Sequence, residues 1–201
     1  MARTLLVTSM KGGSGKSLLS VHLLIAARAS GMTSLLCDAD LQQGTALEWQ
    51  SQRGTTTDVR RTRAAELPGI IRQNTFDLVI VDSAPRADTD VTKIAALASF
   101  ILIPVRPALP DVTAAKRAVT IAKAARRPFA MVINAAYPRA PETDEARQVL
   151  GDLGEVAPVV IFNRVAFARA LGAGEAVTEF EPEGKAAEEI NQLWNYLGKK
   201  L

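Results

Sequence analysis

The chain has 201 residues, 48% of them hydrophobic, enough to bury a substantial core within the size of one ordinary domain. Its 24 Lys+Arg against 21 Asp+Glu leave a net charge of +3, compatible with an anionic partner without demanding one, and the single Cys37 excludes an internal disulfide framework or a cluster built from several of the chain's own thiolates. Its apolar runs stop short of a membrane span, and "MARTLLVTSMKGG" lacks the apolar stretch and cleavage site of a signal peptide, so a cytoplasmic location is expected.

In chain order, "TLLVTS" (4–9) reads as a strand, followed by a glycine-rich loop and a helix from Lys16 to Ser30 with Leu19, Leu23, Ala26 and Ala27 on its inward face. Gly31 stops that helix, and "SLLCDAD" (34–40) follows as a strand ending in two acids; "FDLVIVD" (76–82) ends in one. Between them, 45–75 mixes turn residues with arginines and is expected to hold a short helix, an edge strand and a second short helix. Further strands are expected at 100–105, 129–134 and 157–162, each almost continuously apolar, as strands covered on both faces must be. Helices are expected near 88–98, 111–126, 142–152, 165–171 and 184–197. This alternation predicts one domain over 1–201: a doubly wound α/β fold, its mostly parallel sheet carrying helices on both faces.

In such sheets ligands bind beyond the carboxyl ends of the strands. There "KGGSGKS" (11–17) supplies glycines that let backbone N–H groups face phosphate oxygens, ahead of the positive end of a helix. Lys16 is placed to reach the terminal phosphates and Ser17 to hold Mg²⁺; the strict pattern departs at Met10, where a glycine is usual. Asp82 has the position of the strand-end carboxylate that holds Mg²⁺ through water. Asp38 and Asp40, two apart on a predicted strand, aim at the same region. One of them orients water, and Asp40 is the choice; the alternative, stronger for Asp38, is that it fixes loop backbone. Lys11 is surplus to a loop that already has its lysine.

"KGGSGKS", "LLCDADLQQG", "FDLVIVDSAPR", "ILIPVRPALPDVTAA", "MVIN" and "RVAFARALGAGEAVTEFEPEGKAAEEI" together resemble the ParA/MinD family of deviant Walker-type P-loop NTPases over nearly the whole chain, most of all the short ParA partition proteins that lack an N-terminal DNA-binding extension. The resemblance implies ATP and Mg²⁺ as cofactors and a homodimer formed around ATP, with Lys11 crossing to the partner's phosphates. It implies nucleotide contacts from Lys11, Gly12, Gly13, Ser14, Gly15, Lys16, Ser17 and Leu18, with Asn134 near the adenine. Catalysis falls to Lys11, Lys16 and Asp40; metal binding to Ser17, to Asp82 through water, and to Asp38. Leu41 departs from the family's proline, Ser17–Leu18 from its Thr–Thr, and Arg86 from its small residues.

The implied function is DNA partition: an ATP hydrolase, slow and partner-stimulated, that binds DNA non-specifically as a dimer, associates with the nucleoid and answers to a centromere-binding ParB-like adaptor. DNA-binding candidates are Lys116, Lys123, Arg126 and Arg127, with Arg117 beside them, opposite an apolar face of Val112, Ala115, Val119 and Ala122, and then Arg164 and Arg169. Arg60, Arg61 and Arg63 form a third basic cluster. The alternatives are an ATPase positioning a non-DNA cargo and a MinD-like membrane switch. The latter would use "INQLWNYLGKKL" as an anchor, but Ile190, Leu193, Trp194 and Leu197 share one helical face, the spacing of a helix packed on the core, so membrane binding is not expected.

Overall fold

The computed structural model describes residues 2–40, 43–54, 59–85 and 89–201; Leu41 and Arg86 lie outside the described residues. Seven strands, β1 (Arg3–Val7), β2 (Ser34–Asp38), β3 (Val59–Arg61), β4 (Leu78–Asp82), β5 (Phe100–Val105), β6 (Phe129–Ala136) and β7 (Val156–Phe162), form one sheet in the order β3-β2-β4-β1-β5-β6-β7. Every pairing is parallel. The helices are α1 (Lys16–Ala29), α2 (Thr45–Arg53), α3 (Leu67–Gln73), α4 (Thr89–Leu97), α5 (Leu109–Ala124), α6 (Glu142–Gly151), α7 (Val165–Gly172), α8 (Val177–Phe180) and α9 (Lys185–Gly198).

Right-handed crossovers assign the helices to faces. From β1 the chain steps outward to β2 and β3, carrying α1 and α2 on one face; it then returns through β4 and crosses to β5, β6 and β7, carrying α3 to α6 on the other. Two cores result. Leu19, Leu23, Trp49, Phe167, Ile190 and Leu193 fill one, and Leu67, Ile94, Val119 and Leu150 the other. The strands between them are buried on both faces, which is why they read as unbroken apolar runs. Cys37 lies fully buried there, its thiol pushed up to about 11 chiefly by burial, so it is inert.

The expected elements are present, and the uncertain stretch resolves as α2, β3 and α3. The four-residue α8 carries no apolar period and was not expected. β2 stops at Asp38 rather than at residue 40. Ile190, Leu193, Trp194 and Leu197 are buried, so α9 packs on the domain as its spacing predicted, tethered by Tyr196 Oη donating to Glu155 at 2.7 Å and Lys200 pairing with the same carboxylate at 2.6 Å. No helix among the described residues is long and apolar enough to cross a membrane.

Candidate nucleotide site

Strand register builds the site. Val7 of β1 is level with Asp82 of β4, and Asp82 is level with Asp38 of β2, so both strand-end acids stand beside the loop that leaves β1. That loop runs to Gly15, which precedes the first turn of α1 with φ +92°; Gly13 also has positive φ, +73°. A side chain on Gly15 would begin 2.0 Å from Asn134 Nδ2, so glycine is required there for space as well as for conformation.

Lys16 is buried, with Nζ 3.5 Å from the Lys11 carbonyl; burial lowers its pKa, while Asp82 and Asp40 pull it back up. Asp82 is 1% exposed, and neither carboxylate oxygen has a hydrogen-bond partner. Burial pushes its carboxyl up to about 7, with Asp38 adding to the rise and the nearby Ser17 hydroxyl and Lys16 opposing it. Asp38 Oδ2 is likewise unpartnered, and its carboxyl is raised, first by burial. Unpaired buried carboxylates beside a hydroxyl and a lysine fit a hydrated Mg²⁺ bound with phosphate: the cation supplies the charge these oxygens lack. Ser17 and, through water, Asp82 would hold it.

Asp38 also does what the alternative reading assigned to it. Its Oδ1 accepts the Asp40 N–H at 3.1 Å, so Asp38 and Asp40 meet through a local turn beyond the strand end rather than by alternation along the strand. Asp40 is buried and close enough to Lys16 to raise its pKa. Gly12, Ser14 and Leu18 take their places in the loop and first turn.

Two contacts in the structure go beyond these expectations. Lys11 has a negative partner in its own chain: Nζ lies 2.5 Å from Oδ2 of Asp111 in the first turn of α5, and Asp111 is 5% exposed. Nothing in the sequence marks Asp111 as different from an ordinary acid in a first turn; a hundred residues separate it from the loop. Asn134, expected near the adenine, is buried and donates Nδ2 to the Ser14 carbonyl at 2.7 Å. It clamps the loop from β6.

The site is therefore a glycine loop at a helix N-terminus, a buried lysine, a hydroxyl and strand-end carboxylates. The profile of the CobQ/CobB/MinD/ParA nucleotide binding domain matches residues 5–177. The chain belongs to this family. It is a ParA/MinD-type P-loop ATPase whose cofactors are ATP and Mg²⁺. It is 28% identical to maintenance of carboxysome distribution protein A of Halothiobacillus neapolitanus, the match covering 96% of this chain and 95% of that one. The septum site-determining protein MinD of Pyrococcus horikoshii OT3, solved with Mg-ADP, superposes with a TM-score of 0.82 at 17% identity, covering 100% of this chain and 99% of that one. A ParA family ATPase from Chlorobium tepidum TLS superposes at 0.78 with 15% identity over 97% and 99%. These two show the shared fold.

The basic candidates lie elsewhere and divide. Lys116, Arg117, Lys123 and Arg169 are exposed on α5 and α7, with Val112, Ala115, Val119 and Ala122 buried opposite as expected. The α5 stripe ends sooner than expected, because the helix stops at Ala124: Arg126 has φ +53°, and Arg127 turns back to donate to the Ala96 carbonyl at 2.5 Å. Arg164 is committed to Glu189, donating Nε at 2.8 Å and Nη2 at 2.5 Å. Glu189 also accepts the Phe162 N–H at 3.1 Å, so this ion pair ties β7 to α9. In the third cluster, Arg61 leans toward the acids, near Gly44 and close enough to lower the Asp38 pKa.

Proposed function

We propose that the protein is a positioning switch: ATP joins two copies, the dimer holds to DNA without sequence preference, and slow hydrolysis stimulated by an adaptor releases it. The observation that carries this reading is the contrast between the two loop lysines. Lys16 is buried beside Asp82 and Asp40, whereas Lys11 is half-exposed and parked on Asp111 of α5. A lysine held at the rim by one carboxylate can exchange it for the phosphates of a second subunit's nucleotide, and in a two-fold dimer both subunits make the exchange. Loss of the γ-phosphate then favours return to Asp111.

The chain-long likeness to a protein named for carboxysome distribution supports a large protein assembly as cargo, with the nucleoid as the surface and an adaptor specific to that cargo. DNA binding falls to Lys116, Lys123 and Arg126, with Arg169. Plasmid or chromosome partition with a centromere-binding ParB-like adaptor is the second reading, favoured by the exposed α5 stripe, which would serve either cargo. The site of action is the cytoplasm. Sizing and DNA co-sedimentation with ATP, ADP and no nucleotide test the switch. A dimer and DNA affinity that appear only with ATP support it; a monomer that ignores ATP overturns it.

A further inference from the structure

A second cation stands at the phosphate loop. Arg106 follows the end of β5, and its Nη2 lies 3.9 Å from the point where a side chain on Gly13 would begin. Gly13, with φ +73°, belongs to the limb of the loop ahead of Lys16, and the guanidinium lies within van der Waals range of it. The arginine is delivered there by rigid backbone. Its carbonyl accepts the Ala108 N–H at 2.8 Å in a three-residue turn around Pro107, and Ala108 is the extended residue from which α5 begins.

Arg106 is exposed, and its guanidinium makes no hydrogen bond or ion pair among the described residues. The other cation near the loop's start, Lys11, is paired with Asp111. An arginine fork held over a phosphate loop with its donors unspent suits a phosphate, whose oxygens it can take in pairs. The loop backbone and helix N-terminus serve the inner phosphates, and Lys16 reaches toward the terminal one. A guanidinium over the Gly13 limb would add a second cation beside Lys16 at that terminal end, where a triphosphate differs from a diphosphate.

We infer that Arg106 is a nucleotide-binding residue that contacts the terminal phosphate of the ATP bound by its own subunit and so helps the protein prefer ATP to ADP. This rests on the ATP-switch reading but makes a claim in cis, whereas Lys11 acts in trans. Arg106 would hold ATP in the monomer before a partner arrives.

Calorimetric titration of ATPγS and ADP, each with Mg²⁺, into wild type, Arg106→Ala and Arg106→Lys tests it. Arg106→Ala is expected to weaken ATPγS binding about tenfold while leaving ADP within about twofold, with Arg106→Lys recovering part of the loss. The same selective loss is expected in a Lys11→Ala background, where no lysine crosses between subunits. Equal loss of both nucleotides would make Arg106 a support of loop structure and overturn the inference. So would unchanged ATPγS binding, or a loss that disappears in the Lys11→Ala background. Failure of wild type to dimerise with ATP would sink the switch reading instead, leaving the Arg106 comparison to be read in the monomer.

Discussion

The carboxyl ends of β1, β2 and β4 and the basic surface of α5 and α7 are both rich in charge, yet they obey different physics. At the strand ends the charges are buried and left incomplete: both Asp82 oxygens and one Asp38 oxygen lack partners. Burying unpaired charge is costly, so the incompleteness specifies a ligand carrying the missing charges. On the surface, two cations that looked equivalent in sequence are spent internally, Arg164 on Glu189 and Arg127 on the end of α4. An exposed basic residue costs little to leave unpaired, so its presence identifies nothing by itself.

The sharpest way to break this contrast is Lys16→Ala, which removes the buried cation of the phosphate site. It is expected to weaken ATP binding by about a hundredfold or more while leaving the fold intact, measured by nucleotide titration and circular dichroism. Nearly normal ATP affinity in that variant would mean the buried acids and lysine serve one another rather than a ligand.

The surface half makes the next prediction. Arg164→Ala leaves the buried Glu189 without its cation and is expected to cost about 2 kcal/mol of stability with little change in DNA affinity. Lys116→Glu with Lys123→Glu is expected to do the reverse: DNA affinity and its salt dependence fall, and the melting temperature barely moves. If Arg164→Ala weakens DNA binding and the α5 pair does not, the division of the basic residues is the wrong way round.

Stability against pH tests the strand ends without a mutation. The Asp82 carboxyl is raised from 3.8 to about 7 by burial, so the folded protein holds this proton more tightly than the unfolded chain does. A group of that kind makes stability fall as pH rises through the interval between the two values. The nucleotide-free protein is expected to melt at a lower temperature at pH 8 than at pH 5.5. Asp82→Asn should flatten that slope, and saturating Mg²⁺ with ATP should reverse it by supplying the cation and binding only the folded state. A slope that Asp82→Asn leaves unchanged would assign it to other groups.

Asp111→Ala gives the smallest expected effect. Freed from its parking carboxylate, which it holds while 43% exposed, Lys11 is expected to let dimers form at about threefold lower ATP concentration, read by sizing across an ATP series. A higher ATP requirement would show that Asp111 assists the crossing instead.

The same comparison explains what could be read from the sequence. The strand-end chemistry was legible because each part lies on a regular element: the loop between β1 and α1, and the acids at the ends of apolar runs, brought level by parallel register. Contacts between distant segments were not. Asp111 and Arg106 reach the loop only because β5 lies beside β1 in the sheet, and Asn134 reaches Ser14 from the strand beyond. The ends of α5 were misjudged because its apolar period continues into Ala125, while Pro110 and the positive φ of Arg126 set the true limits. Arg164 read as a free cation because nothing local announces Glu189, twenty-five residues later on α9.

The central claim, that Lys11 serves a neighbour's nucleotide while Lys16 serves its own, is tested most directly by mixing two crippled proteins. Lys11→Ala and Lys16→Ala should each hydrolyse ATP poorly alone, because one lacks the crossing lysine and the other its own phosphate site. In a mixed dimer the Lys11→Ala subunit binds ATP and receives Lys11 from the Lys16→Ala subunit, completing one site. The account predicts that the mixture hydrolyses ATP well above the sum of its parts. Activity no greater than that sum, with mixed dimers shown to form, would contradict it.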